Sequence, residues 1–338
     1  MPDLHRSPSD EPTRRELLRW APALPLAGLG GWAHAQEFPA RPMRLVVPFP
    51  PGGATDAIAR LAAEALAAEF KQSVVVENKA GAGGGIAAEF VSRSAPDGLT
   101  LLVAGQGIMF INKPLYRNKK LTYDADTDYI YIGMLGSFPN VVVSNPDAVP
   151  AQTIGELITL ARSNPGGISY GSNGVGSLSH LTTELMASTA KVKFLHVPYQ
   201  GAAPQMTDLL SGRIGFSIIA SQTVMPLIQQ KKLRALAVST GSRYAELPNV
   251  PTLVEAGFPL LDAPVWFAVY APAATPAPVV ARLRAAFASV VSAPGYGAEL
   301  AKRNALVMKL PVDASEAMFS RERMLWADAV RSTGASAD

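Results

Sequence analysis

The chain has 338 residues with 48% hydrophobic composition, 30 Lys and Arg against 27 Asp and Glu, a formal charge of +3, and no cysteine. Near-balanced charge without a Lys/Arg block interleaved with aromatics argues against a nucleic-acid binder. The missing cysteine excludes disulfides, thiolate metal sites, a cysteine nucleophile and a lipoprotein anchor.

The amino terminus carries Thr13-Arg14-Arg15-Glu16-Leu17-Leu18-Arg19, the pattern of a twin-arginine export signal, then an apolar run from Trp20 to Trp32 and a small-residue cleavage site, Ala33-His34-Ala35. The run contains Pro22 and Pro25 and falls short of the roughly twenty apolar residues that span a membrane. Residues 1–35 are therefore read as a signal peptide that is removed, and the mature protein is expected in the periplasm. Roughly 300 residues remain, enough for two packed cores.

Residues 44–48 read as a buried strand entering the loop Pro48-Phe49-Pro50-Pro51-Gly52-Gly53, which opens into a helix over 55–70. Ile58, Leu61, Ala62, Ala65, Leu66 and Phe70 follow a helical period, with Thr55 or Asp56 as the N-cap. Prolines pre-set this loop, glycines clear its backbone for close approach, and the N–H groups of the first helical turn point outward. Phe49, Pro51, Gly52, Gly53, Ala54, Thr55 and Asp56 thus form a candidate anion site. A Walker loop needs Lys followed by Ser or Thr where Ala54, Thr55 and Asp56 stand, which argues against nucleotide hydrolysis.

A strand at 73–77, a helix at 86–94 and a strand at 100–104 follow, with Gln106 as a further candidate beyond the last strand and Ile108, Met109 and Phe110 as cleft wall or core. The chain passes through 129–135 and 141–144 into a second domain. There helices at 153–163, 177–190, 203–211 and 223–230 alternate with strands at 168–171, 193–196, 214–219 and 235–239. Residues 266–270, which carry Trp266, return to the first domain, and helices at 276–292 and 315–332 complete it. Such alternation predicts open α/β domains. The two crossings divide the chain into 36–136 plus 264–338 and 137–263, around a cleft with a two-segment hinge.

Gly171-Ser172-Asn173-Gly174-Val175-Gly176-Ser177 also follows a strand and precedes a helix. Ser172, Asn173 and Ser177 add side-chain donors to backbone N–H groups around Gly174 and Gly176, so the two loops could hold a dicarboxylate by both ends, or one carboxylate and a polar tail. Its glycine spacing does not fit G-x-G-x-x-G. Tyr199 with Gly201, and Ile219 with Ser221, follow the next two strands and complete the candidate ligand-binding set together with His180. A serine hydrolase using Ser172 or Ser177 with His180 is a rival, but Tyr170 stands where a nucleophile elbow needs glycine and no acid is placed to orient His180. His180 reads instead as a partner of the loop backbone, and His196 as a satisfied, partly buried strand residue. Only these two histidines follow the leader. Asp124, Asp126 and Asp128 lack the glycine and the glutamate of a calcium loop, so neither metal nor cofactor is expected.

The first loop, Asn78-Lys79-Ala80-Gly81-Ala82-Gly83-Gly84, Pro96-Asp97-Gly98-Leu99-Thr100-Leu101-Leu102, the segment from Tyr170 to His180, His196-Val197-Pro198-Tyr199-Gln200-Gly201 and Ala271-Pro272-Ala273-Ala274-Thr275-Pro276 occur in an order and spacing that resembles the Bug family, the TctC-like periplasmic receptors of tripartite tricarboxylate transporters. The resemblance implies the type II periplasmic binding protein fold. It also implies a monomeric receptor without enzymatic activity, which delivers a small organic carboxylate to a two-protein membrane permease or presents it to a sensor kinase. In the family the segment from Gly81 to Gly85 contributes to the cleft wall. Many relatives carry Asp where Ile219 aligns, and the replacement implies an acid with an apolar or aromatic body rather than an amino acid.

Overall fold

The computed structural model describes residues 38–117, 121–199 and 202–337. The leader, its cleavage site and Gly201 lie outside the described residues. From the N-terminal side the elements are β1 (Met43–Val47), α1 (Ala54–Phe70), β2 (Val74–Asn78), α2 (Gly85–Ser92), β3 (Thr100–Ala104), α3 (Asn112–Leu115), β4 (Tyr129–Phe138) and β5 (Asn140–Ser144). Next come α4 (Ile154–Ser163), β6 (Ser169–Ser172), α5 (Leu178–Ala190), β7 (Leu195–Pro198), α6 (Ala202–Leu210), β8 (Phe216–Ala220), α7 (Ser221–Gln229) and β9 (Arg234–Val238). The last are β10 (Val265–Pro272), α8 (Ala277–Ser292), α9 (Pro294–Ala301) and α10 (Val312–Thr333).

Two five-stranded sheets form, in the orders β2-β1-β3-β10-β4 and β7-β6-β8-β5-β9. Each has three parallel strands at one side, and its fourth strand runs antiparallel to both neighbours. That antiparallel strand is the one through which the chain enters from the other sheet: β5 directly after β4, and β10 after β9. Pro139 separates β4 from β5, so β4 stays in the first sheet through Phe138, beyond the strand end expected at residue 135 and the crossing expected after residue 136.

Side-chain alternation decides which helix covers which face. Met43, Leu45, Leu101, Val103, Phe267 and Val269 point to one face of the first sheet, where α1 and α8 bury Ile58, Leu66, Leu283 and Phe287. Val46, Leu102, Ala104, Trp266 and Ala268 point to the other face, under α2 and α10. Complete burial of each Val, Leu, Ile, Met or Phe side chain among these contributes about 1.5–3 kcal/mol. In the second sheet Val142, Phe216 and Ile218 meet α4 and Met186 of α5, whereas Val141, Val143 and Ile219 meet Leu209 of α6 and Val224 of α7. Ile108, Met109 and Phe110 are buried in the first sheet's second cluster and are core. Leu181 of α5 is buried in that same cluster, so this helix of the second sheet is anchored in the core of the first.

This arrangement gives each sheet a switch point. The chain leaves β1 through α1 on one face and reaches β3 through α2 on the other, so a crevice opens at the carboxyl end of β1. In the second sheet α5 and α6 lie on opposite faces in the same way, and the crevice opens at the carboxyl end of β6. No helix among the described residues is long and apolar enough to cross a membrane.

Candidate functional site

The first loop closes on Asp56 rather than being capped by it. Gly53 is the N-cap of α1, with extended backbone and no side-chain cap, because Asp56, three residues into the turn, reaches back to the loop. Its carboxylate accepts from Gly52 N–H at 3.0 Å, from Arg60 Nε at 2.9 Å and Nη2 at 3.0 Å, and from Asn78 Nδ2 at 2.9 Å. Asn78 Nδ2 also donates to the Phe49 carbonyl at 3.0 Å. Burial works against the Asp56 charge, but the bonds from Arg60, Gly52 and Asn78 outweigh it and hold the carboxyl below its ordinary range. Asp56 therefore shapes the loop and has no spare charge to repel an anion. The first helical bond runs from Ala57 N–H to the Gly53 carbonyl, which leaves the N–H groups of Ala54, Thr55 and Asp56 ahead of the ladder. Phe49 is 42% exposed at the rim.

The second loop is built by hydrogen bonds among its own residues and two imidazoles. Ser177 caps α5, its Oγ accepting the His180 N–H at 3.3 Å. Ser179 Oγ accepts the Asn173 N–H at 3.2 Å and lies 3.1 Å from Ser177 Oγ. Gly174 and Gly176 have φ of 116° and 75°, a region that favours glycine. Because the ladder of α5 begins with Leu181 N–H to the Ser177 carbonyl, the N–H groups of Leu178 and Ser179 precede it.

A continuous line of contacts brings the loops to one side of the protein. A Cβ on Gly84 would meet Pro48 and Ile108, and Asn112 Nδ2 donates to the Gly83 carbonyl at 3.1 Å. At the far end of α3, Leu115 lies so close to Gly176 that a Cβ there would come within 2.3 Å of it. The 3₁₀ turn Ala82–Gly84, the π-helical turn Gly107–Ile111 and α3 thus join the first loop to the second.

Four expected ligand residues have their side chains committed elsewhere. Ile219, only 6% exposed, packs in the second sheet's core, so the aromatic-ligand expectation drawn from it loses its basis. Tyr199 donates its hydroxyl to Asp208 at 2.9 Å, and burial with that carboxylate raises it to about 12. Ser221 donates to the Asn304 carbonyl at 2.8 Å, tying α7 to the segment after α9. Gln106 donates to the Pro264 carbonyl at 2.6 Å, bracing the return into β10.

Ser172 is fully buried, with Oγ 2.6 Å from His196 Nε2 and in hydrogen-bond contact with Gly174. His180 Nδ1 accepts the Gly176 N–H at 3.0 Å, the backbone role expected of it. Ser172 has no access from solvent, and among the described residues no carboxylate hydrogen-bonds His180 or His196, Glu184 accepting instead from Tyr170. Arg60, Asn78, Leu115 and His196 are the contributors missed from sequence. The Asp56–Arg60 spacing, i to i+4 on a helix, is the signal that was available for one of them.

A separate groove of about 900 Å³, lined by Arg41, Arg44, Phe90 and Arg93 among others, lies toward the opposite strand ends. Its cations are already paired, Arg41 with Asp97, Arg44 with Glu77 and Arg93 with Glu89, and it lies away from both switch points.

Residues 58–319 match the model of the tripartite tricarboxylate transporter family receptor. The chain is 34% identical over 309 residues to BugT of Bordetella pertussis, covering 91% of this chain and 94% of that one. It is 39% identical over 258 residues to a Pseudomonas sp. (strain P51) protein from the tcbD-tcbE intergenic region, 76% of each. Among solved structures, R. palustris Rpa4515 with adipate superposes with a TM-score of 0.79 at 32% identity, over 89% of this chain and 99% of that one. MatC from Rhodopseudomonas palustris with bound malate gives 0.74 at 30% identity, over 87% and 100%.

Proposed function

Because the chain belongs to the tripartite tricarboxylate transporter receptor family, we propose that it is a periplasmic solute receptor that holds a small organic carboxylate between its two loops. The observation that carries this is the pair of equivalent switch points, each ending in the first turn of a long helix whose leading N–H groups precede the ladder. Two helix N-termini favour negative charge, and neighbours that hold adipate and malate support the same chemistry. Arg60 is bound to Asp56, so backbone dipoles supply the attraction at the first loop. This suits a mono- or dicarboxylate better than a more highly charged acid. One lobe is built on the sheet of β1, β2, β3, β4 and β10 and the other on the sheet of β5 to β9, with the first crossing at Pro139 between β4 and β5. A ligand touching both loops stabilises the closed form, whereas one touching a single loop shifts little. The family supports delivery to a membrane permease as the role of the bound ligand, and the Arg14-Arg15 pattern supports export.

The test is a thermal-shift and tryptophan-fluorescence screen against adipate, malate, citrate, benzoate and glutamate. At a hundredfold excess over Kd the true ligand class stabilises by about 2.7 kcal/mol, a shift of about 4 °C for a chain of this size. Saturable shifts with mono- or dicarboxylates are expected. A protein inert to every carboxylate contradicts the reading.

A further inference from the structure

Beside the second loop two imidazoles lie face to face, their ring centroids 4.1 Å apart and their planes 12° from parallel. His180 Nδ1 accepts the Gly176 N–H, which places the single ring proton on Nε2. His196 is stacked between His180 and Tyr170, whose ring lies 4.9 Å away, and its Nε2 shares a hydrogen bond with Ser172 Oγ. Strands β6 and β7 and helix α5 meet in this stack. Both ends of the loop, Ser172 and Gly176, are tied to an imidazole nitrogen.

We propose that His180 and His196 are paired positioning residues that hold the second loop in its ligand-receiving shape while both rings are uncharged, and release it on acidification. The proposal rests on the receptor reading only for the use of the loop; the catch itself belongs to the ligand-free protein. A second proton on His180 must take Nδ1, turning the acceptor of the Gly176 N–H into a donor that faces it. It also sets a charge against the neighbouring ring, and protonating both puts two cations 4.1 Å apart. The facing titratable groups are Tyr170 on β6, His196 on β7 and Glu184 on α5. Glu184 accepts the Tyr170 hydroxyl at 2.6 Å, and its pull on His196 is weaker than the opposing effects. Helix α10 also packs along α5, but none of its residues is among the groups acting on either ring. Burial lowers His180, while burial and the neighbouring His180 bring His196 down to about 4 from 6.5. For a base lowered in this way, what neutrality contributes is present above its ordinary value and lost as pH falls from about 6.5 toward 4.

The deciding experiment is amide hydrogen exchange at Gly176 in the ligand-free full chain from pH 7.5 to 4.5, corrected for the intrinsic rate. Protection should fall at least tenfold below pH 6. In His180→Asn, whose amide oxygen can replace Nδ1, Gly176 should stay protected across the range, and in His180→Ala it should be unprotected at every pH. Imidazole ¹⁵N spectra at pH 7.5 should show His180 with its proton on Nε2. Protection that does not change down to pH 4.5, or acid lability that persists in His180→Asn, overturns the proposal. Titration with adipate at pH 7.5 is read separately: failure to bind counts against the receptor, while Gly176 exchange still decides the catch.

Discussion

Gly176→Ala is expected to weaken carboxylate binding at least tenfold and to destabilise the protein by about 2–5 kcal/mol, the sum of a left-handed backbone cost and an overpacking cost. The backbone cost arises because Gly176 has φ of 75°. The overpacking cost arises because the new Cβ would stand 2.3 and 2.5 Å from the two methyls of Leu115 and 2.9 Å from its Cγ. Leu115 is 4% exposed within the first sheet's core and cannot swing into solvent. The second loop must therefore lift away from α3, carrying its N–H donors with it. Leu115→Ala alone should cost about 2–5 kcal/mol as a cavity, yet the double variant should be more stable than the sum of the two losses, because the clash is then removed. Chemical denaturation of the four proteins measures this. Strict additivity means that the loop and α3 do not touch.

Glu322→Gln is expected to abolish a pH dependence of stability of about 3 kcal/mol in the parent, since a tenfold change in proton affinity on folding corresponds to about 1.4 kcal/mol. Glu322 is 3% exposed, and its carboxylate accepts Trp266 Nε1 at 3.0 Å to each oxygen and Trp326 Nε1 at 3.2 Å. Burial pushes it up to about 7 from 4.5, against the pull of the two indoles and Arg321, with Asp262 adding to the rise. Since the folded value exceeds the unfolded one, the folded state binds more protons between pH 4.5 and 7. Stability therefore falls as pH rises through that window. His196 runs the opposite way below pH 6.5, so the two slopes oppose each other in the parent. The difference between parent and Glu322→Gln at each pH isolates the glutamate. Trp266 and Trp326 are the only tryptophans after the leader, so their emission should report the same transition near pH 7 and lose it in the variant. A transition below pH 5 would mean that Glu322 is solvated.

Much of the fold was legible because apolar periodicity and loop chemistry are local properties. The buried strands read as Val- and Leu-rich runs, and both candidate loops announced themselves through glycine and proline between a strand and a helix. What escaped was decided by packing. Helix α9 starts Pro294-Gly295-Tyr296-Gly297, a loop by composition, and is held by Tyr296, which donates to the Leu135 carbonyl at 3.0 Å, and by buried Leu300. Strand β4 continues through Gly136 and Ser137 because Phe267 and Trp266 pair with them and Ser137 bridges to Leu306. The side chains expected in the site were the harder problem. A strand-end residue faces cleft or core according to register, which placed Ile219 opposite Val141 in a core. The pairing of Tyr170 with His196 across parallel strands brought together two histidines sixteen positions apart.

The most direct measurement follows the backbone amides of Ala54, Thr55, Leu178 and Ser179 by NMR as adipate is titrated into the protein. If the carboxylate is gripped by both helix N-termini, all four resonances shift together and saturate at one ligand per chain. Saturation with only one loop responding, or with neither, contradicts a site built from the two loops.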